Sequence, residues 1–460
     1  MAGAGGVYAL PRLARRLKSR RILVLGLLST SSGMPLGWVY TALQFFLVDL
    51  GLKRSAIGLL SGVSLPWTLK FLWSPLVDRY ALPWPGRRRS WVILAQLALA
   101  GAFGALSALA WRALDARDAG RPLAGLPLLV GLVALAIAFL AATQDIALDA
   151  YAVEVLHPDE QGPVSGLRTM FYRLGMLLAG AAAVSASQWL PWPVVFLATG
   201  AVFVGMVGLT LAAPEPDRPA APPRSLAKAV VEPLRAYFAR PDAVAIALFL
   251  VFYKFGDNMG GTMVNPFLKD LCFSNAEAGV AIKTIGTVAT IGGSLLGGAL
   301  VARLGLGRAL WGFGVLQALA NLIYSAAALS RNAPLDVARC AALPALGATT
   351  RLWTYGAIAG ENLAQGLATA AQAVLLLRVC DRRYSATQFA LLSSLFAVGR
   401  WASGLPSGFL VERMGYPAFF ASCATAMALP GFAFLSRIAP LSGREVPSAS
   451  PGPAEDAPPA

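Results

Sequence analysis

Charge is what this sequence lacks most. Only 13% of its 460 residues are Asp, Glu, Lys or Arg, about half the share found in a soluble domain, and 57% are hydrophobic. A soluble globular fold is excluded and a polytopic membrane protein is expected. His157 is the one histidine, and Cys272, Cys340, Cys380 and Cys423 form no close pair. Neither a metal site nor a disulfide framework is therefore expected, and no cofactor is indicated. No phosphate-binding loop is present either, which with the missing His and Cys clusters argues against an intramembrane enzyme. The net charge of +15 comes from 38 basic residues spread over short segments without an aromatic-laced patch. Nucleic acid is not an expected partner; the lipid bilayer is.

What the chain does have is length in its apolar runs. Windows of about 20 residues, enough to cross a bilayer, fall near 22–48, 56–77, 90–111, 125–149, 163–187, 194–213, 243–267, 278–302, 308–330, 352–377, 386–411 and 417–438. The expected fold is all-α, with twelve transmembrane helices in two pseudo-symmetric six-helix halves. Arg12 to Arg21 ahead of the first run resemble the start of a signal peptide, but the run passes Pro35 and reaches Val48 without a small-residue cleavage site, so it reads as a retained first helix. With the N-terminus in the cytoplasm, 22 Lys and Arg fall on that side, ten on the other and six within spans, which places both termini in the cytoplasm. The expected divisions are a basic N-terminus over 1–21, a first bundle over 22–213, a linker over 214–242, a second bundle over 243–438 and a disordered tail over 439–460. The linker opens Pro-rich and ends with Leu226, Val230, Leu234 and Phe238 at spacing four, the pattern of an interfacial helix.

Phe46-Leu47-Val48-Asp49-Leu50 recurs as Phe267-Leu268-Lys269-Asp270-Leu271, displaced by 221 residues, and Gly58 recurs as Gly279, so the halves read as copies. Ser74-Pro75-Leu76-Val77-Asp78-Arg79 follows the second span, Gly298-Ala299-Leu300-Val301-Ala302-Arg303-Leu304-Gly305 the eighth, and Gly408-Phe409-Leu410-Val411-Glu412-Arg413-Met414-Gly415 the eleventh. These stretches resemble the Gly-x-x-x-Asp-Arg-x-Gly signature of the major facilitator superfamily, with Ser for the first Gly in one and Ala for Asp in the next. An Asp-Arg pair at a helix end can hold a gate. Asp78 is expected to pair with an arginine among Arg87, Arg88 and Arg89, and Asp78, Arg79, Asp149 and Arg303 are read as gate residues.

Ionisable groups inside a span cost about 2.5–3.5 kcal/mol each on insertion scales, so each marks a pathway or a partner. Thr143 to Glu154 holds three carboxylates, with Asp145 and Asp149 at i and i+4 on one helix face and Gln144 beside them. Two carboxylates on one face in a low dielectric do not both stay charged cheaply, which suits proton coupling. The structural alternative is that they cap the helix end and pair with Arg168 or Arg173. Arg173, next to Tyr172, falls about ten residues into the fifth span, near the midplane where secondary transporters hold substrate. Lys70 lies at similar depth between Trp67 and Trp73, rings able to stack on a sugar. Lys254 and Asp257, beside Tyr253, are one turn apart and able to neutralise each other, in a helix that Gly256, Gly260, Gly261 and Pro266 make breakable. Glu361 and Arg400 are also central and pair in the economical reading; Lys283 lies in the outer third. The proton-coupling candidates are Asp145, Asp257 and Glu361, and the substrate-binding candidates Lys70, Gln144, Arg173, Lys254, Arg400, Trp67, Tyr172 and Tyr253. Cations outnumber anions within the spans, so an anionic substrate is expected.

Further segments carry a closer resemblance: Gln144-Asp145-Ile146 to Asp149-Ala150, Tyr172-Arg173-Leu174-Gly175-Met176-Leu177, Leu69-Lys70-Phe71-Leu72-Trp73-Ser74-Pro75, Tyr253-Lys254-Phe255-Gly256-Asp257, Glu361-Asn362-Leu363 and Ser385-Ala386-Thr387-Gln388-Phe389-Ala390-Leu391-Leu392-Ser393. In these the chain resembles the AmpG-type muropeptide permeases of Gram-negative inner membranes, and more distantly the acetyl-CoA transporters. The resemblance implies proton-coupled import of anhydromuropeptides from periplasm to cytoplasm for cell-wall recycling, a monomer, and in some bacteria a link to beta-lactamase induction. An acetyl-CoA or other organic-anion carrier is the alternative, and a non-transporting membrane sensor another. Arg168 and Tyr151 depart from the family pattern, which has a small or polar residue and a tryptophan there.

Overall fold

The computed structural model describes residues 20–49, 63, 65–80, 84–120, 125–216, 222–223, 225–331 and 347–438. Among these residues every regular element is helical. A bilayer core offers no water to backbone N–H and C=O groups, and a helix satisfies them within its own segment. Twelve helical segments follow one another: α1 (Arg20–Leu47), α2 (65–79), α3 (Arg87–Asp118), α4 (Leu126–Val155), α5 (Gln161–Ala186), α6 (Trp192–Leu211), α7 (Ala243–Asp270), α8 (Glu277–Leu304), α9 (Leu306–Leu329), α10 (Ala348–Val379), α11 (385–414) and α12 (416–435). Nine stretches among the described residues are long and apolar enough to cross a membrane unaided. α10 passes the same test only together with the first part of α11, bent by 103° at their junction. Each arm is nonetheless about 30 Å or longer at 1.5 Å per residue, so both are counted as spans. Gly415, at φ 73°, separates α11 from α12. The expected basic N-terminus and tail, the start of the second window and residues 217–221 of the linker lie outside the described residues.

The repeat seen in the sequence is repeated in contacts. At the end of α1 the Trp192 indole donates to Asp49 at 2.7 Å, and at the end of α7 the Tyr416 hydroxyl donates to Asp270 at 2.7 Å. Phe46 packs on Trp192 and Phe196, as Phe267 does on Tyr416 and Phe420. Arg117 reaches the carbonyl of Asp49, and Arg331 that of Leu271. Gly175 lies directly over the Thr30 carbonyl and Gly399 over that of Val251, each without room for a Cβ. Small residues let helix backbones approach where lipid offers no hydrophobic drive to associate.

The linker helix (Leu226–Phe238) is capped by Ser225, whose hydroxyl accepts from the Lys228 N–H at 3.2 Å. Its face toward the protein is Ala229, Pro233 and Tyr237, while Leu226, Val230, Leu234 and Phe238 are exposed. The apolar stripe thus points away from the helical bundle. One expectation is corrected: Cys272 is disulfide-bonded, to a partner outside the described residues, whereas Cys380 and Cys423 are free and buried.

Candidate functional site

Ionic contacts gather at two levels. The first is the end of the bundle that carries the linker. The chain from α2 to α3 turns there, and three side chains meet in a dry network: Asp78 at 0%, Arg88 at 2% and Glu154 at 5% exposure. Arg88 bonds Asp78 at 2.6 Å and Glu154 at 2.7–2.8 Å, with Arg87 behind it at 3.5 Å from Asp78. Asp78 also receives the N–H and hydroxyl of Thr387 at 2.8 and 2.7 Å and the N–H of Ala386 at 3.3 Å. A helix leaves its first N–H groups unpaired, and a carboxylate placed there satisfies them and meets the positive end of the dipole. Asp78 therefore caps α11 from the other half of the chain. Ser385 adds a bond to Glu154 at 2.7 Å and takes one from Arg88 at 2.9 Å.

Of the four residues read as gate residues, only Asp78 is in this network. Arg79 is stacked on Tyr80, and Arg303 is exposed. Asp149 lies deeper, between Lys70 at 3.3 Å and Arg168 at 2.7 Å, and Arg168 extends to Ser29. The third copy of the signature is no counterpart: it ends beside Tyr416 and Asp270, at the opposite end of the bundle, since the chain crosses an odd number of times, through α9, α10 and α11, between the second copy and the third. The Asp78–Arg88 pair is one of those expected, whereas the parts played by Ser385 and Thr387 were missed because a network is a property of three distant segments; the Ser385 to Ser393 stretch was visible only as a resemblance.

The second level is mid-depth. Asp145 faces Ser32 within the field of Lys70 and Arg168, and its Oδ1 has no hydrogen-bond partner. Gln144 is fully buried and donates to Ser31 at 3.0 Å. Trp73 donates to Thr143 at 3.1 Å, and the Trp67 indole N–H is buried without a partner. Arg173 reaches across to Gln365 of α10 at 3.5 Å, so α5 and α10 meet there, and Tyr172 is its half-buried neighbour. Lys254 bonds Thr369 at 2.9 Å and the Gln365 carbonyl at 3.5 Å.

Two expected pairs do not form. α7 breaks at Tyr253 and Lys254, which turns Lys254 toward α10 while Asp257 faces α9 and accepts from Gln317 at 2.7 Å. Glu361 accepts from its neighbour Asn362 at 2.7 Å, while Arg400 is exposed. Among the described residues, Asp145, Asp257 and Glu361 have no cation within ion-pair distance. Tyr253 spends its hydroxyl on the Leu310 carbonyl at 2.7 Å and holds α7 to α9. Lys283 is exposed.

Residues 26–384 match the model of the Major Facilitator Superfamily. The chain is 37% identical over 427 residues to the anhydromuropeptide permease of Escherichia coli (strain K12), covering 92% of this chain and 80% of that protein. Among solved structures, a bacterial homologue of the iron transporter ferroportin in an outward-facing state superposes with a TM-score of 0.67 at 17% identity, over 92% of this chain and 99% of the other. The human organic anion transporter MFSD10 superposes at 0.59 with 16% identity, over 91% and 99%. At these identities the solved structures speak for the fold.

Proposed function

The chain belongs to the major facilitator superfamily and, within it, to the anhydromuropeptide permease family, and from there we propose that it imports anhydromuropeptides from periplasm to cytoplasm with protons. It is a transporter, not an enzyme, and the substrate moves by alternating access of two halves, 22–213 and 243–438, joined by the linker over 214–242. It acts as a monomer in the bacterial inner membrane.

The observation that carries the substrate class is the pair Arg173 and Lys254. Both lie at mid-depth, and both bond only neutral oxygens of α10. A carboxylate on the substrate completes their charge, while Lys70, Gln144, Trp67 and Tyr172 offer polar and ring contacts to sugars. Arg400, exposed beside them, draws anions in. The coupled proton is assigned to the carboxylates without a cation, namely Asp145, Asp257 and Glu361; Asp149, held by Lys70 and Arg168, is left out. The excess of Lys and Arg supports a cytoplasmic linker end, and so do the places of the cysteines. Cys272, past the far end of α7, is oxidised, as suits the periplasm, and the free Cys380 sits at the linker end.

Uptake by proteoliposomes tests this. Labelled disaccharide anhydromuropeptide is expected to accumulate when the lumen is alkaline, and acetyl-CoA is not. Accumulation of acetyl-CoA alone overturns the substrate. If Asp145→Asn, Asp257→Asn and Glu361→Gln each keep pH-driven accumulation, the proton assignment is wrong.

A further inference from the structure

Two helix breaks meet at one cleft inside the second half. α7 is interrupted at Tyr253 and Lys254 and restarts at Phe255. α12 is interrupted at 425–428, where Thr425 takes φ −112° and ψ −90°. In a continuous helix the Met427 N–H would bond the Cys423 carbonyl; here it bonds that of Ser422 at 3.0 Å. The Cys423 carbonyl lies directly against Gly256. Tyr253, Gly256, Asp257, Gln317, Asn321 and Cys423 line the space between.

The buried side-chain atoms left without a partner there are acceptors. Asp257 is 6% exposed, Gln317 2% and Asn321 1%. Gln317 gives its Nε2 to Asp257 Oδ2, which fixes the amide orientation and leaves Oε1 as an acceptor. Gln317 Oε1 and Asp257 Oδ1 are both buried without a partner. Asn321 spends its Nδ2 on the Gln317 carbonyl at 3.2 Å. The Tyr253 hydroxyl is spent on Leu310, and Lys254 on Thr369. Unpaired buried acceptors are rare and costly, by about 1–3 kcal/mol each. Oxygen-only ligands with one carboxylate suit a hard cation of low charge, and backbone carbonyls of broken helices supply such ligands in secondary transporters.

We infer that this cleft between α7, α9 and α12 is a binding site for a sodium-sized monovalent cation, held by Asp257 Oδ1, Gln317 Oε1 and the Cys423 carbonyl. Because two of its walls are helix breaks, occupancy fixes the shape of α7 and α12 together. The inference refines the part given to Asp257 in the transport reading and rests on that reading only for its consequence in uptake.

Binding of radioactive sodium to the purified full-length protein in choline buffer is the test, with muropeptide uptake measured in parallel in sodium and in choline. Saturable binding is expected, reduced about tenfold or more by Asp257→Asn and weakened by Gln317→Leu, since each removes an oxygen ligand. Size-exclusion profiles matching the parent show that the variants fold. No binding to the parent protein, or binding unchanged in both variants, overturns the site. Uptake without sodium binding also overturns it and leaves the transport reading standing. Sodium binding with no muropeptide uptake supports the site and overturns the transport reading.

Discussion

Two seams close the linker end of the bundle, and the internal repeat makes them counterparts. In one, the end of α2 meets the start of α11 through Asp78, Arg88, Glu154, Ser385 and Thr387. In the other, the end of α8 meets the start of α5, and the position matching Asp78 is Ala302. The signature's carboxylate is missing at that position, and the two helices meet backbone to backbone: a Cβ on Gly162 would lie 2.8 Å from the Gly298 carbonyl, and one on Gly166 2.5 Å from that of Ser294. The first seam depends on charges that are safe only while dry and mutually paired. The second depends on fit. A closure built this way has one side whose ionic bonds exchange for water on opening and one side whose contact is backbone packed on backbone.

Breaking the charged seam is expected to have the largest effect. Arg88→Met leaves Asp78 and Glu154 buried without their shared cation, and removing one partner of a buried ionic network costs about 3–5 kcal/mol. Most of that is relieved if the seam opens, so the equilibrium should move toward the state open at the linker end. Cys380 reports it: the residue is 8% exposed, which keeps reagent from the thiol, and burial pushes its pKa above the ordinary value. In a Cys423→Ser background, maleimide labelling of Cys380 should rise steeply in Arg88→Met. Labelling at the parent rate would mean that the network does not hold the closure. Next in size is Gly166→Val, which forces α5 from α8 and costs about 1–3 kcal/mol as an overpacked contact. The same labelling should rise, by less. If it rises more than in Arg88→Met, the glycine seam is the stronger of the two.

How far the sequence foretold these seams follows from their physics. Span positions depend on composition over about 20 residues, and where both ends are described most windows match the helices to within a few residues, while α3 and α4 run on past theirs to Asp118 and Val155. The pairing of Asp78 with a following arginine was legible because both lie in one short connection. Thr387, 309 residues further on, was not, since nothing local ties it to Asp78. Mid-depth pairing failed for a different reason. Lys254 and Asp257 share a face only if α7 is continuous, and the break at Tyr253 and Lys254 rotates them apart. The expected break points Gly256, Gly260, Gly261 and Pro266 all fall after it, inside a regular helix. Asp149 was read both as a gate residue and, in the structural alternative, as a partner of Arg168 or Arg173; the Arg168 pair forms, with Lys70 on the other side.

Smaller changes separate the members of the charged seam. Thr387→Val removes the hydroxyl bond to Asp78 but keeps the N–H bond at 2.8 Å, so about 1.5–3 kcal/mol is at stake, the range for hydrogen bonds to charged groups. Cys380 labelling should fall between that of the parent and of Arg88→Met, and no change would place the capping interaction in the backbone alone.

The smallest effect is expected where the signature motif is most recognisable. Arg79 and Arg303 are its arginines in the two copies at the linker end, yet neither enters a seam: one lies over Tyr80 at 5.5 Å and the other is exposed. An exposed charge keeps its hydration, and substitutions away from caps, cores and buried networks stay within about 0.5 kcal/mol. Arg79→Gln and Arg303→Gln should therefore label Cys380 at the parent rate and leave thermal stability in detergent unchanged. A clear rise in labelling for Arg303→Gln would be the more damaging outcome. It would show that the glycine seam carries charge after all, through a state of the bundle in which Arg303 swings in against α5, and the contrast between the two seams would dissolve.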